Sequence, residues 1–260
     1  MTVLLATATQ KEMEAVLKGF NGRGRVGCQL PAPGQWCEAP VNEHVCLLTV
    51  TGVGPINAAF TLGRVLGACF GISGVVNMGV AGSFNLAKAP LAAPVLVDRE
   101  IWPEYGLWTD IGINPHGIGF PLWAPQEASA QTKQTERAEK AEEKPSTDTG
   151  TGVVWNNISL TPRESLRTMD LTPPDCICGT GITVACVSGT PERASQLRQR
   201  HDALTENMEG FAMALGCVQA GIDFVELRTV SNLVGSRNAE DWRLDDALSA
   251  LGSVARSLFL

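Results

Sequence analysis

Short β-branched runs alternate with segments of helical periodicity along nearly the whole chain, and that alternation decides the class of fold. Val3 to Ala8 reads as a buried strand, and Met13, Val16, Leu17 and Phe20 follow at helical spacing. Val45 to Thr51 is a second apolar run closed by Gly52-Val53-Gly54. Pro55 then opens a helix whose expected buried stripe is Ile56, Ala59, Phe60 and Leu66. Gly74 to Val80 reads as a third strand, Val95 to Asp98 as a fourth, Ile182 to Ser188 as another buried run and Phe224 to Val230 as a late strand. Thr161-Pro162-Arg163-Glu164 reads as a capping box opening a short helix, and Thr190-Pro191 caps a charged helix through Gln199. Met208, Phe211, Ala212 and Leu215 mark a further amphipathic helix; Leu244, Leu248, Leu251, Val254, Ala255 and Leu258 line the final one. Such a pattern predicts an α/β fold in three layers, α/β/α, around a central mixed, largely parallel twisted sheet covered on both faces. The 260 residues suffice for one domain of this kind, and residues 1–260 read as one.

One stretch breaks the pattern. Gln126 to Gly150 has no aromatic and no β-branched aliphatic residue and is dense in Lys, Glu, Thr, Ala and Ser. It has little apolar surface to bury, so it reads as a mobile insertion rather than a domain boundary.

Composition excludes several classes of function. The net charge is −7 with no basic cluster, which argues against a nucleic-acid partner. No run approaches the roughly 18 apolar residues of a membrane span, and the apolar start lacks the charged leader of a signal peptide. The eight cysteines include no CxxC pair and several sit within apolar runs, which fits a reduced cytoplasm better than a disulfide framework. The three histidines are scattered without ligand spacing, so no metal is expected.

Gly52-Val53-Gly54-Pro55-Ile56-Asn57 lacks the third glycine of a dinucleotide fingerprint and reads as a tight strand-to-helix turn. There is no P-loop and no Gly-x-Ser-x-Gly elbow. Three other stretches fall at strand ends, where open α/β sheets bind ligands: Thr9-Gln10-Lys11-Glu12, Glu206-Asn207-Met208-Glu209-Gly210, and Ser231-Asn232-Leu233-Val234-Gly235-Ser236-Arg237. Each also has a plain structural reading. Glu12 completes a capping box with Thr9, Glu209 is a first-turn acid favoured by the helix dipole, and Asn232 closes a turn.

Taken in order and spacing, these stretches resemble the purine nucleoside phosphorylase/nucleosidase superfamily. The carrying residues are the opening strand with Glu12, Thr51-Gly52-Val53-Gly54-Pro55-Ile56-Asn57-Ala58-Ala59, Asn77-Met78-Gly79-Val80-Ala81-Gly82, Glu206 to Gly210, and Arg228-Thr229-Val230-Ser231-Asn232. The pattern is similar to the methylthioadenosine/S-adenosylhomocysteine nucleosidases. The Glu-Asn-Met-Glu-Gly run, Ser231-Asn232 and the later Gly235-Ser236-Arg237 with Trp242 resemble most the futalosine hydrolases of menaquinone biosynthesis.

The resemblance implies cleavage of a purine–ribose bond without metal or organic cofactor. It implies Glu209 as acceptor for the two ribose hydroxyls, since an ionised carboxylate offers two acceptor oxygens and its charge favours a cationic sugar. Met208 would pack beneath the ribose, and Glu12 would take a proton from the attacking water. Relatives specific for adenine carry Asp where Asn232 stands. An amide donates to N7 and O6 but is no general acid, so Asn232 points to a 6-oxopurine such as hypoxanthine and leaves open how N7 is protonated, with water as one source. Phosphorylases of the superfamily carry Arg and Ser in the glycine segment; Asn77-Met78-Gly79-Val80 has neither, which favours water over phosphate. The implied substrate-binding set is Val80, Gly82, Val187, Ser188, Asn207, Met208 and Arg237. Arg237 would meet a substrate carboxylate with Trp242 beside its ring; a surface pairing with Glu240 or Asp241 is the alternative. Val187 and Ser188 serve equally as pocket wall or as core and turn. A small-molecule purine nucleoside and a homo-oligomeric assembly are the expected partners. Competing readings are action on aminodeoxyfutalosine, methylthioadenosine/S-adenosylhomocysteine or inosine, and a non-catalytic nucleoside-binding protein.

Overall fold

A computed structural model describes residues 2–20, 29–42, 44–125 and 152–259. The segment read as an insertion, 126–150, lies outside them.

Eight of the strands form a continuous mixed sheet in the order β10 (Thr205–Asn207), β9 (Ile177–Thr183), β5 (Pro94–Ile101), β11 (Asp223–Leu233), β4 (Ile72–Ser83), β1 (Thr2–Thr7), β3 (His44–Val50) and β2 (Gln35–Val41), with β8 (Asn157–Ser159) added on β5. β4 runs parallel to both β1 and β11, so the β-branched runs of all three are buried in the middle of the sheet. A small hairpin of β6 (Leu107–Thr109) and β7 (Gly112–Asn114) stands apart.

The expected three-layer α/β/α sandwich is only partly right. The long β4 also pairs antiparallel with β10, which closes β10, β9, β5, β11 and β4 into a five-stranded barrel. The chain is therefore a mixed α/β fold whose sheet is open on one side and closed on the other. Closure removes one free sheet edge. It depends on β10, a short strand of Thr205, Glu206 and Asn207 with no apolar signature in the sequence.

Helices cover both faces of the sheet. On one side α1 (Gln10–Lys18), α3 (Pro162–Thr168) and α6 (Leu244–Leu258) bury Met13, Val16, Leu166, Leu251 and Leu258. On the other, α2 (Pro55–Ala68) and α5 (Gly210–Ala220) bury Ala58, Leu62, Val65, Phe211 and Met213. α4 (Pro191–His201) lies outside the barrel and packs Ala194 against Ile182 and Val184.

Three local expectations change. The α2 stripe facing the sheet is Ala58, Thr61, Leu62 and Val65, while Ile56, Ala59 and Phe60 are exposed. α2 is apolar on two faces, and periodicity does not say which face the sheet takes. Only Ile182 and Thr183 of the Ile182–Ser188 run are strand: β9 ends at Thr183, and the backbone beyond it is held by side chains, Ala185 N–H by Glu104 and Ser188 N–H by Glu206. Thr161 does not cap α3 with its side chain, whereas Thr190 does accept from Arg193 N–H at the start of α4.

Candidate active site

The carboxylates proposed from the sequence gather beside the β4–β11 pair, Glu12 shortly after β1 and Glu209 shortly after β10. Glu12 is at the third position of α1 and forms the expected capping box: its Oε2 accepts from Thr9 N–H at 2.9 Å, and Glu12 N–H donates to Thr9 Oγ1 at 3.2 Å. The cap and the site are one arrangement, because the other oxygen, Oε1, accepts from Val80 N–H at 2.9 Å across the end of β4. The carboxyl is buried, and burial pushes its pKa above the ordinary carboxylate range against the opposing pull of the Val80 N–H and of Arg228. A carboxylate that keeps its proton more tightly is a stronger base, which suits proton abstraction near neutral pH.

Arg228 contacts Glu209 and lies near Glu12. It pairs with Gly79 across the β11–β4 ladder and is fully buried. A Cβ on Gly79 would stand 2.7 Å from both Arg228 Nη1 and Glu12 Oε1, so the bare backbone of β4 leaves the room that acid and guanidinium occupy side by side. Arg228 Nη1 lies 3.4 Å from Glu209 Oε2, and its Nε donates to Glu226 Oε1 at 2.8 Å. These buried partners keep the guanidinium charged throughout.

Glu209 ends the segment before α5. Its Oε1 accepts from Gly54 N–H at 3.0 Å. Gly54 has φ +96°, a conformation glycine adopts without strain, so the Gly52-Val53-Gly54 turn does more than join strand to helix: it aims an amide at Glu209. Asn207 fixes the same segment from below, its Oδ1 accepting from the N–H groups of Glu209 and Gly210 at 2.9 and 2.7 Å. Its Nδ2 donates to Glu100 Oε1 at 2.7 Å, so the Asn207 amide is engaged by protein groups on both ends. Met208, half-buried, lies between the two.

Asn232 stands further along the same ladder, opposite Gly82 after a bulge in β11. From the Gly79–Arg228 pair it is three steps of β4 away, at most about 10 Å along the strand. Ser231 Oγ donates to its Oδ1 at 2.8 Å, which orients the amide; its Nδ2 donates to Leu233 O at 3.2 Å, leaving a second N–H. Gly82 is close beneath, since a Cβ there would lie 3.2 Å from Asn232 Nδ2.

The remaining candidates form a separate group at the β9–β10 end. Ser188 donates both its N–H and its hydroxyl to the buried Glu206. Val187 is half exposed and Arg237 is exposed, with Arg237 Nη2 near Gly189. Trp242 bridges to Asn232 through the backbone, and its Nε1 donates to Ser236 O. A groove of about 590 Å³ between α2 and α5 is distinct from all of these: it touches Thr183 and Phe211 and none of the carboxylates.

Sequence reasoning assigned no role to Arg228, Gly54, Glu100 or Glu226. Arg228 and Glu226 alternate within the run Phe224 to Val230, otherwise made of apolar residues and Thr229, and charged side chains two apart within a buried strand are the available signal.

Two buried carboxylates gather around one buried guanidinium in this cluster, and the comparisons with known proteins name the class the chain belongs to. The chain matches the Phosphorylase superfamily over residues 4–259 and belongs to it. Within that class it is a member of the futalosine hydrolase family of N-glycosyl hydrolases: it is 31% identical over 262 residues to the futalosine hydrolase of Streptomyces coelicolor, covering 96% of this chain and 92% of the relative. Two solved Helicobacter pylori structures share the fold. The 5'-methylthioadenosine/S-adenosyl homocysteine nucleosidase has a TM-score of 0.67 at 14% identity, covering 98% of this chain and 94% of that one. The native futalosine hydrolase has a TM-score of 0.66 at 14% identity, covering 98% and 97%.

Proposed function

We propose that this chain hydrolyses the N-glycosidic bond of futalosine, releasing hypoxanthine and the dehypoxanthinylated sugar, as a step of menaquinone biosynthesis. The observation that carries the reading is the continuous cluster of Glu12, Arg228 and Glu209, with an amide rather than an acid at Asn232, in a chain of the futalosine hydrolase family.

In this reading water attacks the anomeric carbon and Glu12 takes its proton. Glu209 accepts from the ribose hydroxyls; each of its oxygens already has one protein contact and retains a lone pair. Its negative charge stabilises the cationic sugar as the bond to the base lengthens. Arg228 holds Glu209 and lends positive charge near the water. The free N–H of Asn232 meets the N7 and O6 edge of hypoxanthine, and water supplies the N7 proton. Met208 packs beneath the sugar, with Val80 and Gly82 lining the strand side. Asn207 acts through Glu209. Val187, Ser188 and Arg237 face the far end of the substrate, with Arg237 for its carboxylate.

The cytoplasmic setting belongs to the same proposal, supported by cysteines such as Cys46 and Cys217 that serve as buried apolar side chains. So does a homo-oligomer, supported by Ile56 and Phe60, which are 83% and 68% exposed on the second apolar face of α2. Residues 1–260 are taken as one nucleosidase domain.

Hypoxanthine release from futalosine, measured with and without phosphate, tests the function. Release at the same rate in both is expected, with slower release from inosine and no adenine from methylthioadenosine. A strict phosphate requirement, or preferred cleavage of methylthioadenosine or aminodeoxyfutalosine, would replace the reading.

A further inference from the structure

Beneath the proposed site lie two further buried carboxylates to which the mechanism gives no part. Glu100 on β5 and Glu226 on β11 are both fully buried. Glu226 Oε1 receives Arg228 Nε, but its Oε2 is buried and receives no hydrogen bond from any described residue. Glu100 Oε1 accepts from Asn207 Nδ2, and Thr183 Oγ1 lies 2.8 Å from Glu100 Oε2. A Cβ on Gly210 would collide with the Glu226 carboxylate and one on Gly181 with Glu100 Oε1, so backbone is pressed against both acids. The charged and polar groups facing the pair are Thr183 of β9, Asn207 of β10 and Arg228 of β11, with Glu209 and Glu12 beyond the guanidinium.

The charges around Arg228 do not balance if every acid is ionised. Glu12, Glu209, Glu226 and Glu100 surround one guanidinium, and an uncompensated buried charge costs several kcal/mol. Glu226 and Glu209 contact the cation directly; Glu100 does not. Two carboxyls in contact away from water do not both ionise, and an orphan acceptor beside a carboxyl is satisfied when that carboxyl keeps its hydrogen.

We propose that Glu100 and Glu226 share one proton and act as a singly charged positioning pair, with Glu100 donating its hydrogen to Glu226 Oε2. Glu226 then anchors Arg228 as a full anion, and neutral Glu100 fixes which way the Asn207 amide points. Both branches end on Glu209, one through Arg228 Nη1 and the other through the Asn207 Oδ1 bond to its N–H. Burial, then the neighbouring Glu226, holds Glu100 well above the ordinary carboxylate range, in line with this assignment. The pair's role in catalysis rests on the nucleosidase reading; its shared proton does not.

Infrared spectroscopy in heavy water tests the proton without substrate. The expected result is a protonated-carboxyl C=O stretch at neutral pH that is present in the unsubstituted protein and in Glu12→Gln, disappears at alkaline pH, and is missing from Glu100→Gln. No such band in the unsubstituted protein, or its survival in Glu100→Gln, overturns the proposal. Thermal melts give a second readout. A group with a raised folded-state pKa contributes stability that is present at low pH and lost as pH rises through that value. The alkaline fall in melting temperature is therefore expected to weaken in Glu100→Gln, and an unchanged fall counts against it. In activity, Glu226→Gln is expected to lose at least about tenfold more kcat than Glu100→Gln, whose amide N–H replaces the lost donor. Equal losses refute the division of roles. If futalosine is not cleaved at all, the function reading fails while the band and the melts still decide the proton.

Discussion

A single methyl group at Gly79 should separate folding from catalysis in this protein. The Cβ of Gly79→Ala would lie 2.7 Å from Arg228 Nη1 and from Glu12 Oε1, where ordinary contact begins near 3.4 Å, so each group must retreat by roughly 0.7 Å. Neither is free to do so. Arg228 is tied to Glu226 at 2.8 Å, and Glu12 is tied to Val80 N–H and Thr9. The strand cannot yield either, because β4 is bonded to β1 on one side and β11 on the other. Overpacking of this kind costs about 1–3 kcal/mol, which for a chain of this size lowers the melting temperature by on the order of 5 °C. Displacing a reacting group by about 1 Å costs about 100-fold in rate, so kcat for hypoxanthine release should fall far more than stability. Gly63→Ala is the control: no atom lies within 4 Å of that Cβ, and the exposed helical position should gain up to about 1 kcal/mol. Both variants are followed by base release and by thermal melting. A Gly79→Ala protein with the parent's kcat and melting temperature would show that the placing of Glu12 and Arg228 on either side of Gly79 has no part in the reaction.

Glu12→Gln should reduce kcat by about 10²–10⁴-fold; its amide oxygen keeps the capping box with Thr9, but its NH2 then faces Val80 N–H, so the melting temperature should fall by on the order of 5 °C. In the parent, kcat/KM should rise with pH through the elevated pKa of Glu12, since the base acts ionised; pH–rate profiles of both proteins check that this limb vanishes in the variant. Arg228→Met leaves Glu209 and Glu226 buried without their cation and should cost about 3–5 kcal/mol, read as a melting temperature lower by on the order of 10 °C, whereas Arg228→Lys should recover part of it. Asn232→Asp restores a group able to protonate N7 and accept from a 6-amino group. Its ratio of kcat/KM for adenine over hypoxanthine nucleosides should rise at least about tenfold, and an unchanged ratio would remove Asn232 from base recognition.

The strands and helices that bury one continuous apolar run were legible in the sequence, because side-chain periodicity is a local property: β1, β3, β4 and β11 were all anticipated, as were α1 and α6. So was Glu12 with its capping box, since cap and acid are three residues apart. Which apolar face of α2 meets the sheet was not legible, because Ile56, Ala59 and Phe60 are as apolar as the stripe that is buried. The barrel was hidden as well. It hangs on Thr205, Glu206 and Asn207, a polar tripeptide that becomes strand only because the end of β4 curves back to it. The linkage of Glu12 to Glu209 depended entirely on tertiary structure. It runs through Arg228, Gly79 and the Gly54 amide, groups from separate parts of the chain whose charges and hydrogen bonds acquire partners only after the sheet has brought β4 and β11 together. Residue types named the chemistry available; long-range pairing decided which groups could act on one another.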